Sequence, residues 1–120
     1  MELSAGDLRN RVELLQRMQG ANELGETTYD YQPFDPPKKI WSQIVPISGR
    51  TETLPGEVDR VEVSHRITVR RGAARELTTD MRFMYRGQAY QVIYFYPNYK
   101  NGAWVEIFCK LVVDDGIKSF

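Results

Sequence analysis

The run V-E-V-S-H-R-I-T-V-R-R, Val61 to Arg71, decides the fold. Val61, Val63, His65, Ile67 and Val69 fall on one face, and Glu62, Ser64, Arg66, Thr68 and Arg70 on the other. Strict alternation at period two is the pattern of a strand half buried against a core. It groups His65 with valines and an isoleucine, so the ring is expected inward, satisfied by a backbone carbonyl. Thr68, on the opposite face, is expected to tolerate change. Residues 103–112 repeat the pattern: Val105, Ile107, Cys109 and Leu111 share one face, while Trp104, Glu106, Phe108 and Lys110 share the other.

Residues 82–85 and 88–95 read as two strands joined at Arg86-Gly87, a two-residue hairpin turn with glycine where positive φ is needed. Residues 39–47 read as a strand carrying Trp41 and Ile44, closed by Pro46 and Gly49. The N-terminal region admits two readings. Ser4 or Asp7 could cap a helix with Leu8, Val12 and Leu15 at helical spacing. A turn followed by a strand at residues 11–18, with Val12 and Leu14 inward, is preferred. Residues 20–39 and 48–60 read as long connections, broken by Gly20, Gly25, Pro33, Pro36 and Pro37 in the first and by Pro55-Gly56 in the second. The expectation is an all-β fold: a small antiparallel β-barrel of about six strands, closed or partly open, with long loops. An open sandwich is the alternative. Its core is expected to hold Trp41, Ile44, Val63, His65, Ile67, Val69, Tyr90, Ile107 and Cys109.

A chain of 120 residues suits a single domain over its whole length. Sixteen basic residues balance sixteen acidic ones, which argues against a protein that grips nucleic acid through its phosphates. The one cysteine excludes an internal disulfide and a cysteine zinc site. No apolar run is long enough to cross a bilayer and the N-terminus has no apolar signal core, so synthesis and assembly in the bacterial cytoplasm are expected, without a membrane partner.

Catalytic chemistry is hard to find. His65 stands alone among apolar neighbours, and Cys109 shares its face with Val105, Ile107 and Leu111, as an inert buried thiol would. The carboxylate pairs Asp114-Asp115 and Glu57 with Asp59 lie in loop or tail sequence, where solvated charge is the ordinary reading. No glycine motif cradles a phosphate. No enzyme activity, cofactor or metal is therefore expected. Phe83, Tyr85, Tyr90, Tyr94, Phe95, Tyr96, Tyr99, Trp104 and Phe108 crowd the C-terminal half, with Arg82, Arg86 and Lys100 between them. Core and interface packing is the favoured reading, and a base-stacking platform on a nucleic-acid-binding barrel is the alternative. A ligand-binding or enzymatic barrel with His65 at its floor is a third.

Several stretches carry a family likeness in their order and spacing. They are A-G-D-L-R-N-R-V at residues 5–12, Leu24-Gly25-Glu26, Trp41-Ser42-Gln43-Ile44 with Pro46 and Ser48-Gly49-Arg50, and S-H-R-I-T-V-R at residues 64–70. Thr79-Asp80-Met81-Arg82, Tyr85-Arg86-Gly87 with Tyr90, and E-I-F-C-K at residues 106–110 complete the set. Together they resemble the head–tail joining proteins of long-tailed bacteriophages, also called head-closure, stopper or head–tail adaptor proteins. Two features depart from that pattern: the proline-rich run at residues 33–37, and Ser42 where a small apolar residue is commoner. The resemblance implies a homo-oligomeric ring in the neck of the virion, below the portal or adaptor ring. Such a ring closes the DNA exit channel and offers a docking surface to tail or tail-completion proteins. Double-stranded DNA would pass without sequence recognition. Arg50, Glu52, Pro55, Gly56, Glu57 and Asp59 are then expected in a channel or gate loop.

Overall fold

The computed structural model describes residues 5–53 and 60–112. Seven strands follow a short 3-10 turn at Ala5–Asp7: β1 (Asn10–Ala21), β2 (Thr27–Pro33), β3 (Lys39–Thr53), β4 (Arg60–Arg70), β5 (Arg82–Tyr85), β6 (Gln88–Pro97) and β7 (Trp104–Leu111). A second 3-10 turn, Arg71–Ala74, follows β4. Every pairing is antiparallel. Pairing runs β1-β3-β4-β7-β6-β5 and returns to β1, so six strands close into a barrel and β2 stands outside it. Closure is the solution expected for a small sheet that must hide its edges.

The barrel interior is stacked in rows. Ile44, Ile67, Ile107 and Phe95 lie directly opposite one another on β3, β4, β7 and β6. His65, Cys109 and Val92 form the next row, and Leu14, Phe83 and Tyr90 close the far side. Val12, Val63, Ile67, Val69, Ile107 and Cys109 are wholly buried. The alternation expected for β4 and β7 is therefore present, and the strand reading of the N-terminal region holds.

Local chemistry explains the turns. Asn22 opens the β1–β2 turn: its side-chain oxygen accepts from the backbone N–H of Leu24 and Glu26, while Gly25 sits at φ 80°. Arg86 and Gly87, at φ 52° and 79°, form the tight β5–β6 turn whose twist suits a hairpin. Asn98 accepts from the N–H groups of Lys100 and Asn101, and Asn101 from Ala103, which shapes the β6–β7 connection.

Several expectations are corrected. Trp41 is not a core residue. It is 51% exposed on the outer wall, with the Arg11 guanidinium 5.2 Å from its ring centroid. The register turns Ser42 inward instead, fully buried, its hydroxyl donating to the Asn10 carbonyl at 2.7 Å. His65 is only half-buried, and its Nδ1 meets the Ser64 hydroxyl at 2.9 Å rather than a backbone carbonyl. Thr68, expected on an open face, is 1% exposed, because Gln43 and Glu106 flank it on β3 and β7. Residues 20–39 are not one long loop, since β2 lies within them. Those of residues 48–60 that are described are strand: β3 runs on to Thr53, with a bulge between Pro46 and Arg50, and pairs with the start of β4.

Candidate interaction surfaces

Among the described residues, those weighed for catalysis do not assemble into a site. His65 and Cys109 face each other across β4 and β7, but Cys109 is fully buried and burial pushes its thiol pKa far up. A thiol held protonated in an apolar wall is a poor nucleophile. Burial also lowers the His65 pKa below 6.5, and its ring packs edge-on against Tyr90 with centroids 4.9 Å apart. Among the described residues, no group of three or more His, Cys, Asp or Glu could hold a metal ion. Among the described residues, no helix is long and apolar enough to cross a membrane. Pro55, Gly56, Glu57 and Asp59 of the expected gate loop lie outside the described residues, as do Asp114 and Asp115. Arg50 and Glu52 belong to β3, opposite Val63 and Val61.

Two hairpin arms leave the barrel. The first joins β1 to β2. Glu13 has Lys39 on one side and Met84 on the other, and Leu15 has Pro33 and Arg82. Because β5 occupies one edge at both positions, β2 and β3 must share the opposite edge, with residues 34–38 bulging between them. Beyond Leu15, β1 therefore pairs with β2 alone as a two-stranded ribbon. Such a ribbon is marginal by itself, and its base is braced. Arg82 lies 3.8 Å from the Tyr31 ring centroid and donates through Nε to Gln91 at 2.9 Å. Gln91 in turn donates to the Met81 carbonyl at 3.1 Å. Further out, Arg17 covers the Tyr29 ring at 4.4 Å and approaches Asp80 at 3.7 Å. Lys38 pairs with Glu76 and lies over Phe34, which fixes the bulge. The tip exposes Leu24 at 82%.

The second arm continues β3 and β4 past the Pro46 bulge, with pairing from Arg50–Val63 to Thr53–Arg60. Neither arm was evident in the sequence. T-T-Y-D-Y-Q-P of β2 lacks an apolar face because the ribbon covers no core. The Asn22–Glu26 turn chemistry was the available signal.

On the outer wall, Phe108 lies between Arg66 and Tyr94, and Glu106 between Thr68 and Tyr96. Tyr94 stacks on Phe108 at 4.8 Å, and Tyr96 stacks on Tyr94 and Tyr99 at 6.0 and 5.8 Å. This stack, not the core, hides Phe108. Trp104 is buried beside Arg70, 5.4 Å above its ring. The rings engage one another, leaving Tyr99 as the exposed end at 88%. At the mouth of the barrel, where β4 and β6 end and β7 begins, a cavity of about 440 Å³ is lined by Phe95, Pro97, Val105, Ala74, Arg71 and Arg75.

A family model described as phage head completion protein matches residues 3–112. Among solved structures, a chain from the virion of a native gene transfer agent particle is similar, with a TM-score of 0.58 and 22% identity. The match covers 89% of this chain and 97% of that one. At that identity the likeness bears on the fold. Comparison with curated proteins gives no match.

Proposed function

The chain belongs to the phage head completion protein family, a family of structural components of the phage head, and from that premise we propose that it closes the neck of the virion as a ring. Copies would assemble below the portal or adaptor ring after DNA is packaged, narrow the exit channel, and present a docking surface to tail or tail-completion proteins. No catalysis is required of it. The observation that carries this reading is the family match across nearly the whole chain, barrel and arms together.

The geometry is in keeping with that role. The closed barrel uses up its strand edges, so the adhesive features lie on the arms and walls. The radius of gyration is 15.2 Å, against roughly 14 Å expected for a compact chain of this length. Bodies of that size in a circle leave a wide central hole. The β3–β4 arm is the element we assign to narrowing it, with Arg50 and Glu52 on its strand and Pro55, Gly56, Glu57 and Asp59 toward its tip. From Pro46 to Thr53 the arm extends roughly 23 Å at strand rise. Pairing between neighbouring arms would satisfy backbone groups that a closed gate buries. A balanced net charge suits a lining past which double-stranded DNA slides without being held.

The test is reconstitution on DNA-filled heads that carry a portal. Electron microscopy should show added density with rotational symmetry below the portal, and nuclease should no longer reach the packaged DNA. Replacing residues 54–59 with a two-residue turn should keep the ring and release the DNA. Heads that bind none of the protein would overturn the ring. Full retention of DNA with the shortened arm would overturn the gate alone.

A further inference from the structure

The cavity at the barrel mouth has an unusual chemistry. Its lining combines the apolar Phe95, Pro97, Val105 and Ala74 with two exposed arginines, Arg71 and Arg75. Neither arginine forms an ion pair among the described residues. The neighbouring acid, Glu76, is already paired with Lys38. Two unpaired guanidinium groups beside an apolar hollow call for a ligand with paired carboxylates and an apolar side chain close by.

The sequence contains such a segment. Past the last described residue, Val112, the chain reads Val113-Asp114-Asp115-Gly116-Ile117. We infer that this acidic, apolar tail docks in the Arg71–Arg75 cavity of a neighbouring copy. The same copy is excluded by reach. The cavity touches Val105, at the start of β7, and the tail departs from the other end of that strand. Val105 to Val112 spans roughly 24 Å at strand rise. Asp115 lies three residues beyond Val112 and reaches back at most about 11 Å.

A contact from one end of a barrel to the opposite end of the next is heterologous, the kind that generates closed rings when the rotation closes. The docking thus deepens the proposed ring and rests on it for its biological setting. Asp114 and Asp115 meet Arg71 and Arg75, and Ile117 enters the hollow between Phe95, Pro97 and Val105.

The test uses a synthetic peptide of residues 112–120 titrated into the isotopically labelled full-length protein and followed by backbone amide shifts. Shifts should centre on Arg71–Ala74, Arg75, Phe95 and Val105, and weaken with salt. The R71E/R75E protein, checked for an unchanged spectrum elsewhere, should bind about tenfold or more weakly, as loss and reversal of two partly exposed ion pairs requires. A peptide carrying Lys at positions 114 and 115 should bind the wild-type protein as weakly, and should bind R71E/R75E better than the natural peptide does. Absence of shifts, shifts centred on another surface, or equal binding of the Lys peptide to the wild type would overturn the docking. Microscopy of portal-bound protein separates this from the ring itself. Rings without peptide binding leave the ring and remove the tail contact; peptide binding without rings supports the contact and removes the ring.

Discussion

Replacing Ile67 with alanine tests the barrel where its geometry is most constrained. Ile67 is wholly buried in the row Ile44–Ile67–Ile107–Phe95, with a paired strand on either side. The change removes three carbons, about 2.4 kcal/mol of transfer free energy at roughly 0.8 per methylene. The vacated space is on the order of 75 Å³. If it stays open it adds up to about 1.8 kcal/mol at roughly 24 cal/mol per Å³. A closed barrel cannot collapse easily onto the gap, since moving β4 strains its ladders to both β3 and β7. The expected loss is therefore about 3–4 kcal/mol, within the usual range for burying alanine in place of isoleucine. For a domain of this size it lowers the melting temperature by roughly 10–15 °C. Urea unfolding with an unchanged m-value is the assay. Thr68→Ala is the internal comparison. Thr68 is buried but on the outer wall, where it loses one methyl and one hydroxyl, so about 1 kcal/mol is expected. A cost below about 1 kcal/mol for Ile67→Ala, or equal costs for the two variants, would refute the assignment of faces in β4.

Three further outcomes follow from the structure. Gly87→Ala should cost about 1–2 kcal/mol through backbone strain alone, because φ is 79° and a Cβ there meets nothing within 4 Å; a urea midpoint equal to wild type would contradict the turn. The Cys109 thiol should stay unreactive toward a disulfide reagent in the native protein and react in step with unfolding, since burial both covers it and raises its pKa; rapid native labelling would be the contrary result. His65 should make the fold slightly less stable in mild acid. Its folded pKa lies below 6.5, so the unfolded chain takes up the proton first, and stability falls as pH drops through 6.5 toward the folded value. Comparing urea midpoints of wild type and His65→Gln between pH 5 and 8 isolates that slope, and parallel profiles would show that His65 does not contribute it.

The barrel was legible where burial is one-sided. In β4 and β7 the inward positions Val63, Ile67, Val69, Ile107 and Cys109 alternate with outward ones, and the Arg86-Gly87 turn announces its hairpin. Legibility failed where an outer face is also covered. Thr68 looks solvent-facing by alternation, yet neighbours from both adjacent strands enclose it. Phe108 sits on the polar face of β7 and is hidden by Tyr94 and Tyr96 across a bulge that no pattern signals. Trp41 misled for the opposite reason. Its size suggested the core, but register gives the inward place to Ser42, whose hydroxyl joins β3 to β1 across the wall. The family likeness reached the correct fold and family, while the cavity at the mouth had no local signal, since its lining comes from three separate stretches.

The arms carry the last step. A closed barrel leaves no strand free to recruit a partner, which protects the free protein from edge-to-edge aggregation. Among the described residues, open ladder positions remain on the two arms, where β1 with β2 and β3 with β4 run beyond the barrel; the first ribbon carries Asp30 and ends at Pro33, both unfavourable to casual pairing. On the proposed role, stability and assembly are therefore written in different parts of the chain. Rows such as Ile44–Ile67–Ile107 hold the fold. Arg17, Tyr29, Tyr31 and Arg82 hold a projecting ribbon in one orientation without adding to the core. An arm braced by cation–π contacts and a glutamine relay retains its direction before any partner arrives, so little ordering entropy remains to oppose assembly. Changes in the rows should move the melting temperature, and changes in the brace should move assembly while the barrel melts as before.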